Sequence, residues 1–123
     1  MIIGTGIDLC DVKRIEEISQ RFGIRFEERL LTLAERERAE ITPKYLARRF
    51  AVKEAIAKAL GCGIGQKLSF QDITILKNDS GQPHVELSAQ AKKSFGGLKI
   101  HISITQEKTM AAATAIAEKV DNE

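Results

Sequence analysis

Aromatic residues, cysteines and long apolar runs are scarce in this 123-residue chain, and each shortage excludes a class of protein. Trp is absent and all aromatics together make up 5%, so few rings could stack on bases, and a net charge of +2 is low for a nucleic-acid binder. No apolar run approaches the ~20 residues that cross a bilayer. Two cysteines, Cys10 and Cys62, are too few for a disulfide framework. We therefore expect a cytoplasmic protein with no nucleic-acid or membrane partner.

The composition that remains is typical of a globular protein, with 43% hydrophobic and 29% charged residues. A chain of this length suits one compact domain with a single core, so we predict one domain over residues 1–123. The N-terminus has no basic lead and no small-residue cleavage pattern. We therefore expect it to belong to the mature fold.

Hydrophobic periodicity and capping residues predict a mixed order of helices and strands. Thr42-Pro43 is typical of a helix start and Gly61 of a helix end, which makes this helix the longest element. The other predicted elements are a strand over 2–9, a helix over 11–22, one or two short helices over 25–40 with a break at Thr32, a hairpin of strands 69–76 and 84–87, a helix over 88–95, and a strand pair over 98–105 and 110–118.

The helix that ends at Gly61 carries several cations around one acid. Glu54 and Lys58 are one turn apart, and so are Arg49 and Lys53. Glu followed four residues later by Lys is also the favoured order of a solvated surface pair. The helix face therefore has two interpretations, an exposed ion pair or a site for an anionic ligand.

Asp8 is predicted at the end of the first strand, where a plain role is to cap the helix that follows. If this strand end instead meets Glu54, two carboxylates could hold Mg²⁺ together with the phosphates of a substrate. The cation would be needed, because a carboxylate and a phosphate ~4 Å apart repel each other by roughly 4 kcal/mol at an effective dielectric constant near 20.

Two other features of the chain have plainer explanations. Glycines at 61, 63 and 65 follow their helix, whereas a phosphate-binding loop precedes its helix, so a C-terminal cap with a backbone contact to ligand is expected. His84 and His101 have no acid or cysteine at metal-ligand spacing. We assign neither histidine a catalytic role.

The segments GIDLCDVKRIE (6–16) and FAVKEAIAK (50–58) resemble the two signatures of the 4′-phosphopantetheinyl transferases. Further blocks of the chain are similar to this family in order and spacing, among them Leu31-Thr32-x-x-Glu35, the glycine-rich segment 61–65 and LSFQDI (68–73). The resemblance implies transfer of the phosphopantetheine arm of coenzyme A to a serine of apo-acyl carrier protein, which supports fatty acid biosynthesis. The by-product would be adenosine 3′,5′-bisphosphate.

The resemblance also implies roles for individual residues. Asp8 and Glu54 would hold Mg²⁺, and Lys58 would neutralise the phosphate under attack. The residues implied to contact coenzyme A are Arg49, Lys58, Gly61, Pro83 and Gln106. The proton acceptor stays open between Glu54, Asp8 and a water on the metal. Gln106 stands where the family usually has histidine, and because glutamine carries no charge we expect weaker, less pH-sensitive coenzyme A binding.

The arginines of the first helices, Arg14, Arg21 and Arg25, would dock the acidic carrier protein, because opposite charges speed encounter. The alternative for Arg21 is a solvated pair with Glu17. The fold implied is α+β, a curved antiparallel sheet packed with helices, assembled as a homotrimer with sites between subunits. Two functional alternatives remain, a non-catalytic module that binds coenzyme A or carrier protein, and a different Mg²⁺-dependent phosphotransfer enzyme.

Overall fold

The computed structural model describes residues 1–38 and 40–120, in which five helices, five strands and one 3₁₀ helix follow one another. In chain order they are β1 (Ile2–Asp11), α1 (Val12–Phe22), α2 (Ile24–Leu30), α3 (Leu33–Arg38), α4 (Pro43–Ala59), the 3₁₀ helix (Phe70–Asp72), β2 (Ile73–Lys77), β3 (Pro83–Leu87), α5 (Ala89–Phe95), β4 (Leu98–Gln106) and β5 (Met110–Lys119). The predicted break at Thr32 is confirmed, while residue 39 of the predicted segment 25–40 lies outside the described residues. Among the described helices, none combines the length and apolarity that a membrane crossing requires.

The strands form two antiparallel sheets. One sheet has three strands in the order β1-β5-β4, and the other is the hairpin of β2 and β3. In the larger sheet Asp8 pairs with Ala113, and Gln106 pairs with Ala111 of the same central strand. The predicted α+β class, with antiparallel strands packed against helices, is confirmed. The single domain over residues 1–123 stays a prediction.

The core lies between α4 and the three-stranded sheet. The buried side chains of β5 are all alanines, Ala111, Ala113, Ala115 and Ala117, and α4 buries alanines of its own. Small side chains on both surfaces allow the helix and the sheet to pack closely. Both cysteines are free thiols within this fold, Cys10 buried and Cys62 half-buried.

Two glycines bring β1 into backbone contact with α4. A Cβ on Gly4 would lie 1.9 Å from the Ala59 carbonyl oxygen, and one on Gly6 would lie 2.0 Å from that of Ala55. Alternate residues of a strand share a face, so Asp8 points toward the same helix as the two glycines. The two glycines therefore allow the strand to lie directly on the helix, and a register irregularity lies between Ile2 and Gly4.

Side-chain caps begin the helices where the sequence predicts. Thr42 Oγ1 accepts a hydrogen bond from Tyr45 N at 3.1 Å, and Ser88 Oγ accepts one from Ala91 N at 3.1 Å. The cap of α1 is Asp11, whose Oδ1 accepts from Lys13 N at 2.9 Å. These bonds satisfy backbone N–H groups that have no partner within the first helical turn.

Two predicted boundaries were wrong. The pairing of β1 with β5 continues to Asp11, so Asp8 lies inside the strand and Asp11, not Asp8, caps the helix that follows. The predicted strand 69–76 starts only at Ile73 because Asp72 Oδ2 accepts hydrogen bonds from Ser69 N and Oγ. These bonds stabilise the 3₁₀ turn before the strand.

We predict that Gly6→Ala lowers the free energy of unfolding by about 3 kcal/mol, because the added methyl group collides with the α4 backbone. Urea unfolding of the purified chain measures this change. Gly97→Ala is the matched control, since within the described part of the chain no atom beyond its chain neighbours lies within 4 Å of the methyl it would add. Equal losses in the two variants would contradict the close contact between β1 and α4.

Candidate active site

Asp8 and Lys58 meet at the contact between β1 and α4. Lys58 Nζ donates hydrogen bonds to Asp8 Oδ1 at 2.9 Å and to the Ile7 carbonyl oxygen at 3.0 Å. The Lys58 side chain is 51% exposed and that of Asp8 is 16% exposed. The lysine thus reaches back from the last turn of α4 while its ammonium group stays open to solvent.

Glu54 lies one turn before Lys58 and completes the cluster. Burial raises the pKa of Glu54, the Asp8 charge raises it further, and Lys58 acts in the opposite direction. The second oxygen of Asp8, Oδ2, is buried and has no hydrogen-bond partner among the residues that the structure describes. The cluster therefore holds two neighbouring carboxylates with one lysine, and one carboxylate oxygen is left free.

This arrangement differs from a solvated pair of Glu54 with Lys58. The lysine ammonium group pairs with Asp8, and within residues 1–38 and 40–120 no ion pair of Glu54 is found. The same residues contain no group of three or more His, Cys, Asp or Glu side chains that could hold a metal ion. With two carboxylates in the cluster, Asp8 and Glu54 would supply two ligands to a hard cation. A substrate and water would supply the others.

Arg49 and Lys53 belong to a different cluster on the far side of α4. Their acid is Glu35 of α3, not Glu54 as the helix alone suggests. Lys53 Nζ lies 2.7 Å from Glu35 Oε1, and Arg49 Nε lies 3.4 Å from Glu35 Oε2 without hydrogen-bond geometry. Arg49 and Lys53 pair with Glu35 because α3 packs against this face of α4. The face is therefore covered and not exposed to solvent.

The Lys53 ammonium group is fully buried and has three acceptors, which match its three N–H donors. Besides Glu35, these acceptors are the carbonyl oxygens of Leu30 at 2.8 Å and Phe70 at 3.0 Å. Burial lowers the pKa of Lys53 to about 8, and Glu35 limits the decrease. Glu35 also accepts from the backbone N–H groups of Thr32 and Ile75, so this buried pair is well satisfied.

A cavity of about 430 Å³ opens beside Arg49. Arg48, Arg49 and Lys77 supply cations to its wall, against the acids Glu35 and Glu40. Glu35 is already paired with Lys53, so the cavity carries a positive excess. Two arginines and a lysine around one cavity suit an anion with several oxygens.

Gln106 and Pro83 are neighbours of this cavity. Gln106 Oε1 accepts a hydrogen bond from Arg48 Nη1 at 3.4 Å, while the Gln106 amide donates to the carbonyl oxygen of Met110 at 3.1 Å. Pro83 is the strand partner of Lys77. Of the predicted coenzyme A residues, Arg49 lines the cavity itself, whereas Gln106 and Pro83 each neighbour one of its lining residues.

Gly61 lies at the end of α4, beyond Lys58. Its φ of +79° is in the left-handed region that favours glycine, and its N–H donates to the Lys58 carbonyl oxygen at 3.0 Å. The predicted C-terminal cap is therefore present. Apart from its chain neighbours, no atom of the described residues lies within 4 Å of the position of a Cβ at Gly61, so the backbone here is open to a ligand.

The three predicted docking arginines are exposed on α1 and α2, and an apolar groove of about 540 Å³ lies beside them. Arg21 stacks over the Phe22 ring at 5.3 Å, and no ion pair with Glu17 is found within the described part of the chain. Arg25 is at the groove wall, whose other residues are Ile18, Phe22, Phe26, Arg29, Leu30, Phe50 and Phe70.

Sequence reasoning missed the buried pair of Glu35 with Lys53, the cavity cations Arg48 and Lys77, and the apolar groove. One signal was available for Glu35, because Thr32-x-x-Glu35 has the capping-box spacing and both of its reciprocal hydrogen bonds are present. The groove had no such signal, since its rings come from segments far apart in the chain.

Comparison with known proteins identifies the family of the chain. Residues 4–115 match the 4′-phosphopantetheinyl transferase superfamily. The holo-[acyl-carrier-protein] synthase of Methylorubrum populi is 42% identical over 131 residues, which covers 98% of this chain and 96% of that protein.

Two solved structures are similar over nearly their whole length. The holo-[acyl-carrier-protein] synthase of Neisseria meningitidis has a TM-score of 0.91 at 36% identity, covering 97% of this chain and 100% of that one. The synthase of Helicobacter pylori, solved in complex with coenzyme A, has a TM-score of 0.86 at 35% identity, covering 93% and 99%. The chain therefore belongs to the 4′-phosphopantetheinyl transferase superfamily.

Proposed function

We propose that this protein transfers the 4′-phosphopantetheine arm of coenzyme A to a serine of apo-acyl carrier protein, in support of fatty acid biosynthesis in the cytoplasm. The observation that carries the proposal is the cluster of Asp8, Glu54 and Lys58, in which two neighbouring, largely buried carboxylates meet one half-exposed lysine. A phosphoryl-type displacement asks mainly for alignment and charge stabilisation from a protein, and this cluster supplies both.

The cluster fits Mg²⁺. Among the described residues Asp8 Oδ2 has no hydrogen-bond partner, so it can serve as an oxygen ligand. Burial and the Asp8 charge both raise the pKa of Glu54, and a divalent cation would relieve the repulsion between the two carboxylates. Asp8 and Glu54 would hold the ion, with substrate oxygens and water as the remaining ligands. When bound, Mg²⁺ would neutralise charge on the diphosphate and polarise it toward attack.

Lys58 and Arg49 would act on different phosphates of coenzyme A. Lys58 is half exposed, so its ammonium group can turn from Asp8 to the diphosphate and stabilise the charge of the leaving group. Arg49, with Arg48 and Lys77, would bind the 3′-phosphate in the positive cavity, next to Pro83 and Gln106. The open backbone at Gly61 would form the pocket wall near the diphosphate.

The two groups of residues leave α4 on opposite sides, because Lys58 follows Arg49 by about two and a half turns, or ~13 Å along the axis. A single coenzyme A would have to pass around the helix to reach both groups in one chain. Two neighbouring chains could instead present them to each other, one through Asp8, Glu54 and Lys58 and the other through Arg49. This geometry supports a site between subunits.

The larger sheet offers a surface for such an assembly. Its face away from α4 exposes Ile3, Ile7 and Leu9 of β1 and Ile116 of β5, a cluster of apolar side chains that monomers rarely leave in water. We propose that a second copy of the chain covers this face. The number of chains, three, comes from the resemblance to the family.

The groove beside α1 and α2 would receive the carrier protein. Its apolar floor can bury hydrophobic side chains, Arg25 and Arg29 line it with positive charge, and Arg14 and Arg21 are exposed on the neighbouring α1. Apolar contact would give affinity, while the arginines would steer an acidic partner.

A non-catalytic binding module is a weaker interpretation. The feature in its favour is that the uncharged Gln106 replaces a histidine that is usual in the family. In the structure, however, Gln106 accepts a hydrogen bond from the guanidinium group of Arg48, which lines the positive cavity. A cation is therefore available at this position without a histidine.

We predict a metal-dependent mass increment of one phosphopantetheine on apo-acyl carrier protein incubated with this protein, coenzyme A and Mg²⁺, measured by intact-protein mass spectrometry. Asp8→Ala and Glu54→Ala should each abolish the increment, because each removes one proposed ligand of the ion. Lys93→Ala is the control, because it removes the charge of an exposed lysine on α5, outside the proposed site. An increment that persists with chelator would contradict the role of the metal, and its absence in the wild type would contradict the transferase.

We predict that Arg21→Glu raises the KM for carrier protein about tenfold at low salt and leaves the KM for coenzyme A unchanged. The increase should shrink at high salt, because exposed charges are screened. Steady-state kinetics at two salt concentrations measures both constants. Lys93→Glu makes the same charge change on α5, and an equal effect there would remove the docking role of Arg21.

We predict a solution mass of three chains, measured by light scattering after size exclusion. Ile116→Lys should reduce this mass, because it adds a charge in the apolar face of the sheet. Leu33→Lys is the matched control, since Leu33 is an exposed apolar residue on α3, away from this face. A monomer in the wild type, or an intact trimer in Ile116→Lys, would count against the proposed interface.

A further inference from the structure

The end of α2 is held by side chains from two other parts of the chain. The last carbonyl groups of a helix lack partners within it. Here the Leu30 carbonyl oxygen accepts from Lys53 Nζ of α4 at 2.8 Å. Gln71 Nε2 of the 3₁₀ helix donates to the carbonyl oxygens of Glu28 and Leu31, both at 2.7 Å, and to that of Arg29 at 3.2 Å.

The same two side chains connect the 3₁₀ helix to α2. Lys53 also donates to the Phe70 carbonyl oxygen at 3.0 Å, so one buried ammonium group binds both elements. Gln71 follows Phe70 directly and binds α2 from the exposed side. The two elements are thus joined from within the core and from the surface.

Leu30 and Phe70 are walls of the apolar groove, on either side of this junction. Phe50, one turn before Lys53 on α4, lies with its ring centre 5.7 Å from that of Phe70 and also lines the groove. The relative positions of these walls therefore depend on the hydrogen bonds of Lys53 and Gln71. A groove that binds a partner through its shape requires such walls to stay in place.

We propose that Lys53 and Gln71 are positioning residues for the carrier protein, because they fix the 3₁₀ helix against the end of α2 and so set the shape of the docking groove. The inference rests on the proposed transferase function. Neither residue touches the partner itself. Lys53 acts through the carbonyl groups of Leu30 and Phe70, and Gln71 acts through those of α2.

The test is a comparison of Michaelis constants in Gln71→Ala and Lys53→Met. Gln71→Ala should raise the KM for carrier protein about five- to tenfold while the KM for coenzyme A changes less than twofold, because the lost hydrogen bonds fix only the groove. In the folded fraction of Lys53→Met, the KM for carrier protein should likewise rise while the KM for coenzyme A stays nearly constant. The melting temperature should fall by about 10 °C, because Glu35 remains buried without its lysine.

Gln90→Ala is the matched control, since Gln90 is an exposed glutamine on α5. It should leave both Michaelis constants and the melting temperature unchanged. If Gln71→Ala has an unchanged KM for carrier protein, or raises both constants equally, the residues have only a structural role and the inference is overturned. A wild-type chain without any transfer would instead overturn the proposed function, and the inference with it.

Discussion

The contact between the backbones of β1 and α4 is the constraint on which the candidate site depends. Gly4 and Gly6 leave no room for a Cβ against the helix, and Asp8 is the next residue on the same face of the strand. Because the strand lies directly on the helix, the short side chain of Asp8 reaches Lys58, and its charge adds to burial in raising the pKa of Glu54. A larger residue at either glycine would move the carboxylate away from the helix, and the two proposed metal ligands would separate.

Helix α4 then divides its charges between two environments. On one side Arg49 and Lys53 enclose Glu35, where every donor of the buried lysine has an acceptor. On the other side Glu54 and Lys58 remain accessible, and Asp8 keeps an unpartnered oxygen within the described part of the chain. A buried pair of charges is costly to break, so Lys53 with Glu35 suits a fixed support, whereas Arg49 Nε has no hydrogen-bond partner among the described residues. Incomplete pairing at the second cluster leaves capacity for a cation and a phosphate.

The sequence predicts the elements better than it predicts their contacts. Thr42, Pro43 and Gly61 fix the ends of α4 through local backbone geometry, which a sequence displays directly. The partner of Lys53 could not be predicted in this way, because Glu35 is 18 residues away and only tertiary packing brings it beneath the helix. The meeting of Asp8 with the helix face of Glu54 and Lys58 could be anticipated from the sequence. The position of Asp8 inside β1 could not, because the extent of β1 is set by its pairing with β5.

The opposite orientation of the two faces of α4 has a consequence for the assembly. In a closed ring of identical chains every subunit is related to the next by the same rotation, so each helix would give its carboxylate face to one site and its arginine face to another. The two faces are joined by about two turns of helix, whose buried residues are Ala51, Val52, Lys53, Ala55, Ile56 and Ala57. Each α4 would then be a structural element of two neighbouring sites, and its packing against the sheet would fix the separation of its two faces.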